Sequence, residues 1–245
     1  MKGEIKAHWN GRAQDYDKNV RQVIYSNRER EAWQKIFVQA LSNEHLKILD
    51  VGTGPGIVAN LLVDLGHDVI GVDVSDGMLR QAMDNSEALH HSLEFVQGDG
   101  ERLPFESGTF DAVVNRYVLW TLPDPKRALV EWKRVLKPGG RLVVIDGTWY
   151  MRNKPLNKQL WQKLSVLLIM LTERRVPHYQ DLNDDIRDNL WSTNLKRPEA
   201  DEDLLKSIGF KQIRIVNALN KRLLTNLDYL KNGHSGERFL ISGVK

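Results

Sequence analysis

A chain of 245 residues, 41% hydrophobic and 27% charged, has the balance of an ordinary globular protein and fits one large α/β domain or a domain carrying an insertion. It contains no cysteine, which excludes disulfides and thiolate metal ligands. Its 35 basic and 32 acidic residues are interleaved, giving a net charge of only +3, so a basic face for nucleic acid is not expected.

The first residues, MKGEIKAHWNGRAQ, hold no apolar signal core. No run reaches the roughly 20 apolar residues that span a bilayer, and a cytoplasmic protein without a transmembrane segment is the expectation. Residues 4–18 carry Ile5, His8, Trp9, Ala13 and Tyr16 near helical period, and a second helical pattern runs from about 27 to 41. Short apolar runs then alternate with helical ones. Strands are expected at 46–51, 67–73, 92–99, 109–115 and 141–146, and helices at 57–65, 77–85 and 125–136. Pro125 suits a first helical turn and the Pro-Gly-Gly at 138–140 a helix end. This alternation predicts a mostly parallel sheet with helices on both faces.

The rhythm breaks after Asp146. Residues 150–197 read as an inserted helical cap, in which 164–175 is apolar almost all round and then basic. A buried cap helix is the plain reading of that stretch; an acceptor tunnel, a homodimer seam or a membrane-touching edge are the others. A helix over 199–208 and two closing strands complete the chain. The organisation is thus one domain: N-terminal lid helices over about 1–42, a core over about 46–146, the cap, and a C-terminal helix and strand pair over 198–245.

Three glycines, Gly52, Gly54 and Gly56, follow the first strand in ILDVGTGPG. Each costs about 0.5–1 kcal/mol relative to alanine in ordered structure. Between strand and helix they let the chain turn sharply and let a ligand approach the backbone, at the edge where open α/β sheets bind ligands. The dinucleotide fingerprint G-x-G-x-x-G is not met, because Ile57 stands at its last position. Asp50 lies just before the turn, where a carboxylate repels a diphosphate and attracts an ammonium or sulfonium. The sign of that charge favours a cationic nucleoside ligand. Asp73 ends the second strand and can accept ribose hydroxyls, or else serve as a helix N-terminal acid. Met78 can lie on an adenine face or in the core, and Asp99 can accept an adenine amino group or close a turn.

DVGTGPG, GVDVS with Met78, QGDGERLPF, FDAVVN and LKPGGRLVV stand in the order of the motifs of class I S-adenosylmethionine-dependent methyltransferases. Over residues 47–146 the chain resembles their ubiquinone/menaquinone-biosynthesis-like small-molecule branch, and HWNGRAQDYD at 8–17 is similar too. The resemblance implies a Rossmann-like, doubly wound, seven-stranded sheet with one antiparallel strand near its edge. It implies S-adenosyl-L-methionine as cofactor, S-adenosyl-L-homocysteine as product, and a small organic acceptor as the other partner. It places the cofactor on Tyr16, Asp50, Gly52, Thr53, Gly54, Gly56, Asp73, Val74, Met78, Asp99, Gly100 and Asn115. Of these, Asp73 falls at the ribose, Asp99 and Gly100 at the adenine, Gly52 and Gly54 at the methionine part, and Asn115 near its ammonium.

The chain departs from many relatives after the fourth strand, where they carry histidine and it has Leu119-Trp120-Thr121-Leu122. Candidates for a catalytic role are His8, Tyr16 and Trp120. Candidates for acceptor contacts are Trp9, Arg116, Trp120, Trp149 and Tyr150; His178 and Tyr179 are further candidates for the mouth of the site. No HExxH or clustered Cys/His pattern marks a metal site, and His90-His91 reads as a solvated helix end. Two other functions compete: a nicotinamide-dependent oxidoreductase on the same layered sheet, and a non-catalytic cofactor-binding or scaffold protein.

Overall fold

The computed structural model describes residues 1–41, 44–149, 156–174, 187–193, 195–233 and 236–245. Helices α1 (Lys2–Val20), α2 (Gln22–Tyr25) and α3 (Asn27–Ala40) precede β1 (Lys47–Val51), α4 (Ile57–Asp64), β2 (Asp68–Asp73), α5 (Asp76–Ala88) and β3 (Glu94–Gln97). Then come β4 (Phe110–Arg116), a single tight helical turn at Leu119–Thr121, α6 (Pro125–Val135), β5 (Leu136–Gly147) and α7 (Leu156–Glu173). The chain closes with α8 (Glu199–Ile208), β6 (Lys211–Val216), the short helices α9 (Asn220–Leu223) and α10 (Asn226–Asn232), and β7 (Arg238–Val244).

The strands form one seven-stranded sheet in the order β3-β2-β1-β4-β5-β7-β6. β1, β2, β3, β4 and β5 pair in parallel, and β7 runs antiparallel to both β5 and β6. The seven strands, the reversal of order beside β1 and the lone antiparallel strand are as expected. Alternate residues of the central strands feed two cores, as the pleat requires. Ile48, Ala112, Val114, Val143 and Ile145 pack with Trp33, Phe37 and Leu61 on one face. Leu49, Val113, Leu142 and Val144 pack with Leu129, Trp132 and Leu205 on the other.

Local sequence explains several boundaries. Helix α6 starts on the Asp124 side chain, which accepts the Arg127 amide, with Pro125 in the first turn. It ends at Val135, before the Pro-Gly-Gly. Residues 136–140 then belong to β5, where Leu136 pairs with Phe110; the preference of a residue before proline for extended backbone gives the reason. α8 closes on Gly209, whose φ of +83° favours glycine.

Two expectations fail. His91 is not solvated: its ring lies 2.8 Å from Asn60 Oδ1 and 3.2 Å from Asp64 Oδ1. α7 is not a buried helix. Ser165 and Ile169 are buried, but Leu160, Leu164, Leu167 and Leu171 are 60, 57, 54 and 71% exposed. Tyr150, His178 and Tyr179 lie outside the described residues. Among the described residues no helix is long and apolar enough to cross a membrane.

Candidate functional site

A cavity of about 270 Å³ opens beside the glycine turn, at the carboxyl ends of β1, β2 and β4. The turn follows from its glycines: Gly52, Gly54 and Gly56 have φ of +66, +55 and +77°, a region that L side chains enter at a cost of roughly 1–2 kcal/mol. A Cβ on Gly52 would stand 2.2 Å from Val118 Cγ2, whereas one on Gly54 would meet nothing within 4 Å. Gly52 therefore lets the loop after β4 come close.

Asp73 ends β2 at the cavity wall. Its two oxygens accept the Gly54 and Ser75 amides, each at 2.9 Å. Burial pushes its carboxyl up, while those amides pull it down. Val74 and Met78 continue the same wall, with Met78 also buried in the core. Asp99 and Gly100 follow β3. Burial pulls Asp99 upward, but the Lys2 ammonium at 2.7 Å and the Glu101 amide outweigh it and hold the carboxyl below its ordinary value. The Trp132 indole donates to Gly100 O at 2.9 Å and fixes this loop to α6.

Helix α1 forms the other wall through Trp9 and Tyr16. It is tied down by Lys2, by Lys6 at 3.4 Å from Asp76, and by Asn10 Oδ1, which accepts the Ser75 hydroxyl at 2.6 Å. Gly77 allows the close approach, since a Cβ there would lie 3.1 Å from Ala13 Cβ. Burial raises the Tyr16 phenol.

Some predicted residues sit beside the cavity without lining it. Thr53 donates its hydroxyl to Asp50 Oδ2 at 2.7 Å, and Gly56 packs on α5. Asp50 is 1% exposed, and burial pushes its carboxyl up to about 7. Among the described residues, its other oxygen and both side-chain polar atoms of fully buried Asn115 have no partner. Unsatisfied polar groups are costly inside a protein, and these stand at the ends of the two strands whose following loops meet at Gly52. A cationic ligand with donor and acceptor groups fits that set.

Of the acceptor-side candidates, Trp9 and Arg116 line the cavity. Trp120 and Trp149 do not; they line a second cavity with Ser192 and Arg197. Trp120 donates its indole N–H to Tyr117 O, and Trp149 donates its own to Asp146 Oδ1 at 2.9 Å. His8 packs edge-on against Trp9 at 5.2 Å and lies outside the cavity wall; burial and then Arg12 lower its pKa. Sequence reasoning missed Lys2, Glu101 and Tyr117. Tyr117 has φ of +63° without being glycine, and no local signal announces that.

Known proteins share the family motifs and the fold of this chain. A family model described as a methyltransferase domain matches residues 49–144. The demethylmenaquinone methyltransferase of Renibacterium salmoninarum is 34% identical over 144 residues, which cover 58% of this chain and 58% of that protein. The matched stretch thus spans less than two thirds of that relative's length. Among solved structures, a SAM-dependent methyltransferase from Aquifex aeolicus superposes with a TM-score of 0.61 at 18% identity, covering 96% of this chain and 97% of that one. Phosphoethanolamine N-methyltransferase 2 of Haemonchus contortus, in complex with phosphomonomethylethanolamine and S-adenosylhomocysteine, gives a TM-score of 0.60 at 18% identity over 88% of this chain and 52% of that one. These two likenesses show a common fold. With the motifs in order on the expected strands, the chain belongs to the class I S-adenosylmethionine-dependent methyltransferases.

Proposed function

We propose that this chain transfers a methyl group from S-adenosylmethionine to a small, partly apolar or aromatic organic acceptor. The observation that carries the reading is the meeting, on one cavity, of the Gly52–Gly54 turn, the Asp73 carboxylate and the Asp99–Gly100 loop. Asp73, already oriented by two backbone amides, would hold the ribose hydroxyls with its remaining lone pairs. Asp99 and Gly100 would border the adenine, with Met78 against its face. Asp50 and Asn115 would satisfy the cationic amino-acid end.

When bound, this cofactor supplies a sulfonium methyl carbon that is already electrophilic. The protein's task is then to orient and to exclude water. Holding reactants at about 3–3.5 Å in line can supply about 7–11 kcal/mol. Helix α1, pinned by Lys2, Lys6 and Asn10, covers the cavity, and Trp9, Tyr16 and Tyr117 present aromatic surface to an acceptor. No histidine lines the cavity among the described residues, so a base-independent acceptor suits the site. The test is incubation of the purified protein with methyl-labelled S-adenosylmethionine and a panel of phenols, thiols, amines and quinone precursors. Label transfer to one class is expected. Protection from thermal unfolding by NAD, with none by S-adenosylhomocysteine, would favour the oxidoreductase reading instead.

A further inference from the structure

We propose that the acceptor is an aromatic anion whose negatively charged oxygens are held by Arg116. The proposal rests on the methyl-transfer reading of this cavity and names its substrate class.

Arg116, the last residue of β4, lines the cavity with its guanidinium carbon 5.2 Å from the Trp33 ring centroid and 5.0 Å from that of Tyr117. Cation–π contacts at these distances hold the guanidinium beside two rings and leave its N–H groups to bind an oxyanion in a fork. Among the described residues its guanidinium makes no hydrogen bond, and no carboxylate oxygen lies within 4 Å of its nitrogens. The other cations of the wall are engaged: Lys2 lies 2.7 and 2.5 Å from Asp99 and Glu101, and Lys6 3.4 Å from Asp76.

A second guanidinium strengthens the field. Arg238, at the start of β7, stands 6.0 Å from the Tyr117 centroid and 5.8 Å from that of Trp149. Its Nη1 donates to the neutral side-chain amide of Asn220 at 2.8 Å, and among the described residues its buried Nε has no partner. Both guanidiniums act on the Tyr16 hydroxyl. Of the acids facing this region, Asp73 takes two backbone amides, Asp50 is buried and takes the Thr53 hydroxyl on one oxygen while Arg116 acts on it from a distance, and Glu29 is within electrostatic reach of Arg238.

Tyr117 supports the assignment from the backbone. It holds φ of +63°, with its N–H bonded to Ile145 O at 2.9 Å. An unfavourable conformation for a bulky residue persists where neighbouring structure imposes it, and such outliers gather at binding sites. Here it sets an aromatic ring beside two cations. Trp9, Tyr16 and Tyr117 supply the apolar wall and Arg116 the charge, which together select a flat aromatic body bearing an oxyanion. An ionised acceptor is also the form that needs no proton removed.

The cofactor carries a carboxylate of its own, so the test separates the two sources. S-Adenosylhomocysteine is titrated first; absence of binding overturns the methyl-transfer reading, and naphthoate titrated alone then still reads the anion site. With the product bound, 2-naphthoate and its neutral isostere 2-naphthamide are titrated by calorimetry into wild type, Arg116→Gln and Arg116→Lys. Naphthoate is expected to bind wild type about tenfold more tightly than naphthamide, about 1.4 kcal/mol. The advantage should fall below about twofold in Arg116→Gln and return in part in Arg116→Lys, with S-adenosylhomocysteine affinity held within about twofold. Equal binding of the two probes to wild type, binding of neither at about 5 mM, or a preference that survives Arg116→Gln overturns the proposal. So does a loss confined to S-adenosylhomocysteine affinity, which would give Arg116 to the cofactor's carboxylate. Arg116→Met replaces the Gln variant if that one melts early.

Discussion

The Asp73 carboxylate accepts the Gly54 amide at 2.9 Å, joining the end of β2 to the middle of the glycine turn. The same side chain accepts the Ser75 amide, so it shapes the turn as well as facing the cavity. Asp73→Ala is expected to weaken S-adenosylhomocysteine binding by about 1–3 kcal/mol, the usual loss for a charged hydrogen-bond partner, and to lower the melting temperature. Asp73→Asn keeps one acceptor oxygen and should recover part of the stability but less of the affinity. Unchanged affinity in Asp73→Ala, measured by calorimetry, contradicts the ribose assignment.

Asp50 should make cofactor binding depend on pH. Burial places its folded-state pKa at about 7, above the ordinary 3.8. A raised carboxyl pKa means that the native state holds an extra proton between those values. Its cost to stability therefore grows as pH rises from about 4 and is complete above about 7. A cationic ligand favours the ionised form, so affinity should rise across about pH 6–8 with release of a proton on binding. Calorimetry in two buffers of different ionisation enthalpy measures that proton. A flat profile in wild type, or an unaltered slope in Asp50→Asn, goes against the role given to Asp50.

A buried triad holds the far side of the site. Arg197 Nη2 lies 2.9 Å from Asp146 Oδ2, and Nε 2.7 Å from Asp201 Oδ2, with all three side chains at most 2% exposed. Asp146 also accepts the Trp120 amide and the Trp149 indole N–H. Arg197→Met strands two carboxylates, and its expected cost is about 3–5 kcal/mol, read from the urea midpoint. A loss below about 1 kcal/mol, the range of an exposed pair, would mean that the triad is solvated.

Gly52 and Gly66 both hold positive φ, +66 and +85°, yet a Cβ on Gly66 would meet nothing within 4 Å. Gly66→Ala should cost only the backbone strain, about 1–2 kcal/mol, and leave ligand binding intact. Gly52→Ala adds the collision with Val118 and should abolish S-adenosylhomocysteine binding. Gly52→Ala combined with Val118→Ala should restore part of it. Equal effects of the two single substitutions on binding would remove the special place of Gly52.

What was legible in the sequence is what is local. The glycine turn, the strand-ending Asp73 and the capped start of α6 each declare themselves within a few residues; the alternation of strands and helices predicts a mostly parallel sheet, and the seven strands with one antiparallel are what the resemblance implies. Long-range relationships were not legible. Trp149 is turned away from the cavity wall because its indole N–H meets Asp146, whose charge is offset by Arg197, 51 positions on. Tyr117 adopts positive φ where no glycine marks the place, and Arg238 reaches its ring from the last strand. The apolar run of α7 suggested burial, but only the stripe with Ser165 and Ile169 is covered. Periodicity counts apolar faces and does not say whether a neighbour arrives to cover each one.

The central claim is that this cavity accepts the methyl donor, and calorimetric titration with S-adenosylhomocysteine tests it most directly. One molecule per chain should bind with a dissociation constant of about 1–100 μM, and Asp73→Ala should weaken it. Absence of binding at hundreds of micromolar, or equal affinity for NAD that Asp73→Ala leaves untouched, would contradict the account.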